Sequence, residues 1–224
     1  MNLCFIGGGN PLTGELDEVM KRIATYVEPE SRVLIIPFAT EHAKRDGWFQ
    51  SAKKSFNDIG VENIQLLNDE LGNEEMKANI SVQDVLYFTG GRPEILMECM
   101  VNKGLIQTVK EFKGLMIGVS AGALAFCKDC LITKDEDYPE TQILRGLGLV
   151  DFSVEVHYEE SVDEELILLS KERDIYAIPN GGALFWNDEG LTSIKNIFHF
   201  SDTKKINKRR KVILESGCVW SPSS

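Results

Sequence analysis

The sequence predicts a doubly wound α/β fold, a mostly parallel sheet with helices on both faces. Two observations carry that prediction. Short, almost uninterrupted apolar runs alternate with longer amphipathic stretches through the first half of the chain, and strands buried on both faces need that composition. One of these runs, "GLMIGVS", passes through small residues directly into the helix-forming "AGALAF", which is how strand, turn and helix follow one another in such a sheet.

Each element follows in order. "LCFI" reads as the first strand and leads to a helix over 14–27. "RVLIIPF" is the second strand, with a helix over 43–58, and "VENIQLL" is the third, with a short helical piece near 72–78. "DVLYFTGG" precedes helical stretches over 93–111, and "GLMIGVS" precedes the helix after Ser120. Past residue 130 the pattern loosens. The polar "TKDEDYPETQILRGLGLV" has little regular periodicity and is followed by a strand-like "SVEVHY", a helix over 161–172 and "DIYAIPNGGALFW". The ending, "EGLTSIKNIFHFSDTKKINKRRKVIL", reads as short antiparallel strands and turns, its basic run "KKINKRRK" as a solvated hairpin.

The length, 224 residues, suits one domain spanning 1–224 with one sizeable core. Acidic side chains outnumber basic ones 35 to 24, for a formal charge of −11, which opposes general binding to nucleic acid or anionic membranes. No apolar run reaches the ~20 residues of a membrane span, and "MNLCFIGGGN" lacks a leader's basic and apolar regions. These features predict a cytoplasmic protein, monomer or homodimer, acting on small molecules or peptides. Five scattered cysteines suit a reducing compartment, and the "CKDC" pair has no second pair or nearby histidine to complete a zinc site. No metal or cofactor is expected.

In a doubly wound sheet the loops after the strands gather at one edge. That edge collects Gly7-Gly8-Gly9-Asn10, Thr40-Glu41-His42, Thr89-Gly90-Gly91-Arg92 and Ser120. The glycine run lacks the G-x-G-x-x-G spacing and a Walker lysine, so it reads as a tight turn rather than a phosphate cradle. Gly118-Val119-Ser120-Ala121-Gly122 has the G-x-S-x-G form of a nucleophile elbow, whose small residues let strand and helix nearly touch. The plainer alternative is a serine that only caps the helix.

A serine nucleophile needs a base within hydrogen-bond reach. Of three histidines, His42 sits in a polar helix-start run and His199 alternates with two phenylalanines as a strand residue does; His157 ends a strand and enters a loop, where a general base belongs. The amides of Ala121 and Gly91 are the candidate oxyanion donors. Composition leaves the base's orienting partner open among Asp135, Asp137, Glu155, Glu159 and Asn180.

"VLIIPFA", "LYFTGGRPEIL", "IGVSAGALA", the histidine of "EVHY" and "YAIPNGGALF" together resemble the peptidase E group of serine peptidases, which includes aspartyl dipeptidase and, more distantly, cyanophycinase. The resemblance spans most of the chain. It implies a flavodoxin-like fold related to class I glutamine amidotransferase domains, with a serine in place of their cysteine, and metal-free hydrolysis of short peptides in the cytosol. It further implies Ser120 as nucleophile, His157 as base and Gly91 with Ala121 as oxyanion donors. Asp135 falls where an acidic residue of aspartyl dipeptidase follows the elbow and has been assigned to the relay. The competing third member is a glutamate in a Pro-Glu-Gly segment, which here reads Pro179-Asn180-Gly181.

Asparagine orients an imidazole but does not neutralise the imidazolium, so either Asn180 only orients His157 or a carboxylate such as Asp135 or Glu159 supplies the charge. Aspartyl dipeptidase follows its histidine with an arginine-rich helix, whereas here "YEESVDEELILLSKERD" puts its acidic residues first. Strict aspartyl specificity is therefore expected to be absent. The rival functions are a serine esterase, which would be expected to carry an HGGG-type loop that is missing here, and a non-catalytic member that binds a small molecule or partner at the same sheet edge.

Overall fold

The computed structural model describes residues 1–201 and 210–219. In chain order the elements are β1 (Asn2–Ile6), α1 (Asp17–Ile23), β2 (Val33–Ile36), α2 (Arg45–Asp58), β3 (Ile64–Leu66), α3 (Asn73–Ser81), β4 (Val85–Phe88), α4 (Pro93–Asn102), α5 (Ile106–Glu111), β5 (Leu115–Val119) and α6 (Ala121–Phe126). Then come β6 (Asp129–Ile132), β7 (Gln142–Arg145), β8 (Ser153–Glu155), α7 (Asp163–Leu169), β9 (Ile175–Ala177), β10 (Ala183–Asn187), β11 (Gly190–Ile194), β12 (Ile197–Ser201) and β13 (Arg210–Leu214).

The central sheet runs β11-β10-β1-β5-β4-β2-β3. Its five strands from the first half are mutually parallel, while β10 and β11 join antiparallel beside β1. This is the mostly parallel α/β architecture that the alternating pattern predicts. Leu34, Ile36, Leu86 and Phe88 face one apolar layer and Val33, Ile35, Val85 and Tyr87 the other, so strand residues two apart share a face and both faces are covered.

Several boundaries differ from the sequence reading for local reasons. The first helix starts only at Asp17, after a 3-10 turn over Pro11–Thr13 that Gly14 ends with φ 80°. The stretch 93–111 is two helices, separated by Gly104 at φ 63°. "DIYAIPNGGALFW" feeds two sheets: β9 belongs to the order β13-β12-β9-β8, and β10 to the central sheet. The segment read as irregular contains β7, which pairs antiparallel with β6. Gln142, Ile143 and Arg145 of β7 are exposed, so this strand has no buried face to leave an alternating signature. The pairing of β12 with β13 fits the expected terminal antiparallel strands, while residues 204–209 of the basic run lie outside the described residues.

Candidate active site

Ser120 stands between β5 and α6 with φ 49° and ψ −111°, outside the regions that non-glycine residues normally occupy. Packing holds it there. Its amide donates to Ile6 O at 2.9 Å, and every residue of α6 is buried, with Phe126 in edge contact with Phe5 and Phe88. The small residues of the elbow are a steric requirement: a Cβ on Gly118 would lie 2.5 Å from Gly122 C, and one on Gly122 would lie 2.6 Å from Phe88 O.

His157 follows β8 and also has positive φ, 52°. Its Nε2 lies 2.9 Å from Ser120 Oγ and its Nδ1 2.7 Å from Asn180 Oδ1. An amide oxygen only accepts, so Nδ1 carries the proton and Nε2 presents a lone pair to the serine hydroxyl. The imidazole rests on the glycine run. His157 N donates to Gly7 O at 2.7 Å, Gly181 N donates to Gly8 O at 2.9 Å, and a Cβ on Gly8 would come within 2.2 Å of the imidazole and 2.6 Å of Asn180 Oδ1. The run is thus a turn, and its bareness makes room for the histidine and asparagine.

Lys195, beyond β11, donates from Nζ to Asn180 O at 2.9 Å. Among the described residues, Ser120, His157 and Lys195 are the non-glycine residues with positive φ, and all three meet here. Nothing in the sequence signals Lys195, which reaches the site across 15 residues.

Gly91 lies in the loop after β4. Its φ is 135°, and a Cβ there would lie 2.1 Å from Ala39 O. Thr40 Oγ1 ties this loop down by donating to Gly90 O at 2.8 Å, and Arg92 N donates to Ala39 O at 2.8 Å. Gly91 and Ala121 both line a cleft of about 560 Å³ with Ser120 and His157. As the first residue of α6, Ala121 has an amide without an intrahelical acceptor.

Asp135, the third relay member favoured by resemblance, lines the same cleft, but its Oδ1 accepts the amides of Asp137 and Tyr138, each at 2.8 Å. The position on Nδ1 belongs to Asn180. Tyr138 donates to Glu94 at 2.9 Å, and Arg92 holds the other oxygen of Glu94 at 2.7 Å, so the acidic loop is tied to the Gly91 loop. Glu159 also lines the cleft, and Asp137 reaches it from the loop tip. Glu155 is buried at its wall, accepts the Thr133 hydroxyl at 2.7 Å, and has its carboxyl pushed up to about 8, chiefly by burial.

The remaining candidates lie elsewhere. His199 pairs with Asp174 at 3.0 Å and stacks on Tyr176, and His42 opens an exposed 3-10 turn. Cys127 and Cys130 are buried, and desolvation pushes the Cys130 thiol up to about 12, as befits packing rather than reactive cysteines. Among the described residues no cluster of three or more His, Cys, Asp or Glu side chains could hold a metal ion. No helix among them is long and apolar enough to cross a membrane.

Comparison with known proteins follows the same lines. Peptidase E of Nostoc sp. (strain PCC 7120 / SAG 25.82 / UTEX 2576) is 24% identical over 193 residues, covering 78% of each chain. The crystal structure of a peptidase from an acI-B1 Actinobacterium superposes with a TM-score of 0.75 at 20% identity, over 98% of this chain and 96% of that one. A protein of Listeria monocytogenes EGD-e described as a peptidase E gives 0.68 at 21%, over 86% and 97%. These two likenesses establish the fold. The model of peptidase family S51 matches residues 3–194, a span that contains the elbow, the histidine and the Asn180 turn, and the chain belongs to that family.

Proposed function

We propose that this S51 peptidase is a serine exopeptidase or dipeptidase that cleaves short peptides through an acyl-enzyme, with Ser120 as nucleophile, His157 as general base and Asn180 as the residue that orients it. The observation carrying this reading is the chain of hydrogen bonds from Ser120 Oγ to His157 Nε2 and from Nδ1 to Asn180 Oδ1.

Ser120 Oγ attacks the scissile carbonyl while its proton passes to Nε2. The carbonyl oxygen, now negative, lies against the amides of Gly91 and Ala121. The imidazolium then gives its proton to the leaving amine as the C–N bond breaks. Water repeats the sequence, His157 taking its proton, and the acyl group departs as the acid. Asn180 fixes the tautomer without a charge of its own, so electrostatic support for the imidazolium falls to the acidic cleft, where Asp135 and Glu159 contribute. The same negative field disfavours an aspartyl side chain, so strict aspartyl specificity is not part of this reading.

The test is mass-spectrometric hydrolysis of a dipeptide and tripeptide library, with Ser120→Ala protein and chelator-treated protein in parallel, together with fluorophosphonate labelling. Cleavage that survives chelation and vanishes with labelling in Ser120→Ala is the expected result. Cleavage that persists in Ser120→Ala would refute it, and a native protein that neither cleaves nor labels would point to a binding role.

A further inference from the structure

Resting on the reading of Ser120 and His157 as the reacting pair, we infer that Glu155 determines specificity in the cleft by receiving a cationic group on the residue that donates the scissile carbonyl. Glu155 is the last residue of β8, two positions before His157, and its backbone oxygen is fixed by the Ile178 amide at 2.8 Å. The residue is only 5% exposed, yet it lines the cleft with Ser120 and His157. Oε1 takes the Thr133 hydroxyl at 2.7 Å, and Oε2 accepts no hydrogen bond among the described residues. The only side-chain polar atom among them that is both fully occluded and unpartnered is Arg173 Nε, so the unpartnered oxygen of Glu155, a residue of the cleft lining, is not fully occluded.

A buried carboxyl with one oxygen unsatisfied calls for a partner. An ammonium or guanidinium supplies both the donor and the countercharge, in a site where a charge-assisted bond is stronger than in water. An acidic side chain would face repulsion from Asp135, Asp137 and Glu159 along the same lining, and an apolar one would leave Oε2 unpaired. The rest of the lining strengthens the preference, since Asp135, Asp137 and Glu159 are acidic and Lys134 is the one cation among the lining residues. Lys134 is mostly solvent-facing on the loop side, whereas Glu155 lies within the wall.

The charged groups bearing on Glu155 are Glu165 of α7 and Asp135 of the loop, while Lys134 and His157 line the same cleft. Burial, helped by Glu165 and Asp135 and opposed by the Thr133 hydrogen bond, holds its proton up to about pH 8. A bound cation therefore displaces that proton near neutrality, and affinity for the cation rises with pH toward 8.

The cation has two possible sources, the α-amino group or a basic side chain, which four probes separate: lysinamide, norleucinamide, N-acetyl-lysinamide and N-acetyl-norleucinamide. Each is titrated calorimetrically into Ser120→Ala protein and into the Ser120→Ala/Glu155→Gln double variant, with circular dichroism melts verifying that both fold. The expected result is at least tenfold tighter binding of the probes carrying the recognised cation, collapsing to less than threefold in the double variant. Loss of affinity on N-acetylation identifies the α-amino group, and loss from lysine to norleucine identifies the side chain. Four probes within twofold of one another in Ser120→Ala, or a preference that survives Glu155→Gln, would overturn the inference. Binding is read here without the nucleophile, so failure of the peptidase reading appears separately, as absent or Ser120-independent hydrolysis by the native protein.

Discussion

The half of the site that bears Ser120 and the half that bears His157 are built in opposite ways. Ser120, Ala121 and Gly91 stand at the ends of adjacent parallel strands β5 and β4, held by bonds to β1 and to the turn after β2. His157 and Asn180 leave β8 and β9, which belong to a second sheet, and reach Ser120 across the bare backbone of Gly7–Gly9. The first half is a property of the sheet, whereas the second depends on a seam between sheets. Substitutions in the first should abolish chemistry in a well-folded protein; those in the second should misplace the base.

Removing the nucleophile or the base gives the largest effect. Ser120→Ala and His157→Ala should each lower kcat/KM by about 10⁴-fold or more, and the double variant by no further amount, because the two act as one unit. Additive losses in single-turnover kinetics would separate the halves that the geometry joins. Gly8→Ala comes next. Its new Cβ collides with His157 and Asn180, and a displacement of about 1 Å in a reacting group costs on the order of 100-fold in rate. Gly47→Ala is the control, since nothing lies within 4 Å of a Cβ there, and it should leave kcat unchanged.

Asn180→Ala should cost about tenfold, the worth of one hydrogen bond of roughly 1–1.5 kcal/mol. Asn180→Asp should instead move the acidic limb of the pH–rate profile upward, because a carboxylate on Nδ1–H stabilises the imidazolium. An unmoved limb would remove Asn180 from the relay. The smallest effect concerns stability. Glu155 titrates near 8 when folded, against an ordinary 4.5, so between these values the native state holds a proton that the unfolded chain has lost. Its contribution is intact below about pH 4.5 and declines as pH rises through 8. Urea midpoints should therefore fall less from pH 6 to pH 9 in Glu155→Gln than in the native protein.

The same seam divides what the sequence discloses. Through Ser120, strands, helices and the converging edge are legible because apolar runs and glycine turns act locally, and the elbow has its own spacing. His157 is legible as a strand-end histidine beside a loop. The role of Gly8 is not, since a glycine run signals a turn but not what will lie across it. Asp135 is attractive in one dimension for its place after the elbow, yet its carboxylate closes its own turn through the amides of Asp137 and Tyr138. Asn180 sits in a Pro-Asn-Gly turn whose position over the imidazole depends on the pairing of β10 with β1, 177 residues apart at the Ile6–Ala183 contact. Lys195 depends on the next hairpin in the same way.

The place of β1 between β5 and β10 also has a consequence for the order of synthesis. A ribosome delivers the elbow by residue 126 but needs 57 further residues to reach Ala183, where β10 begins to close on β1. For the first 31 of those residues the nascent chain has Ser120 without His157, and until β10 pairs with β1 the Asn180 turn that meets the imidazole is not yet held in place. Completion of the Ser120–His157–Asn180 arrangement is thus deferred until the sheet has been closed from its late side.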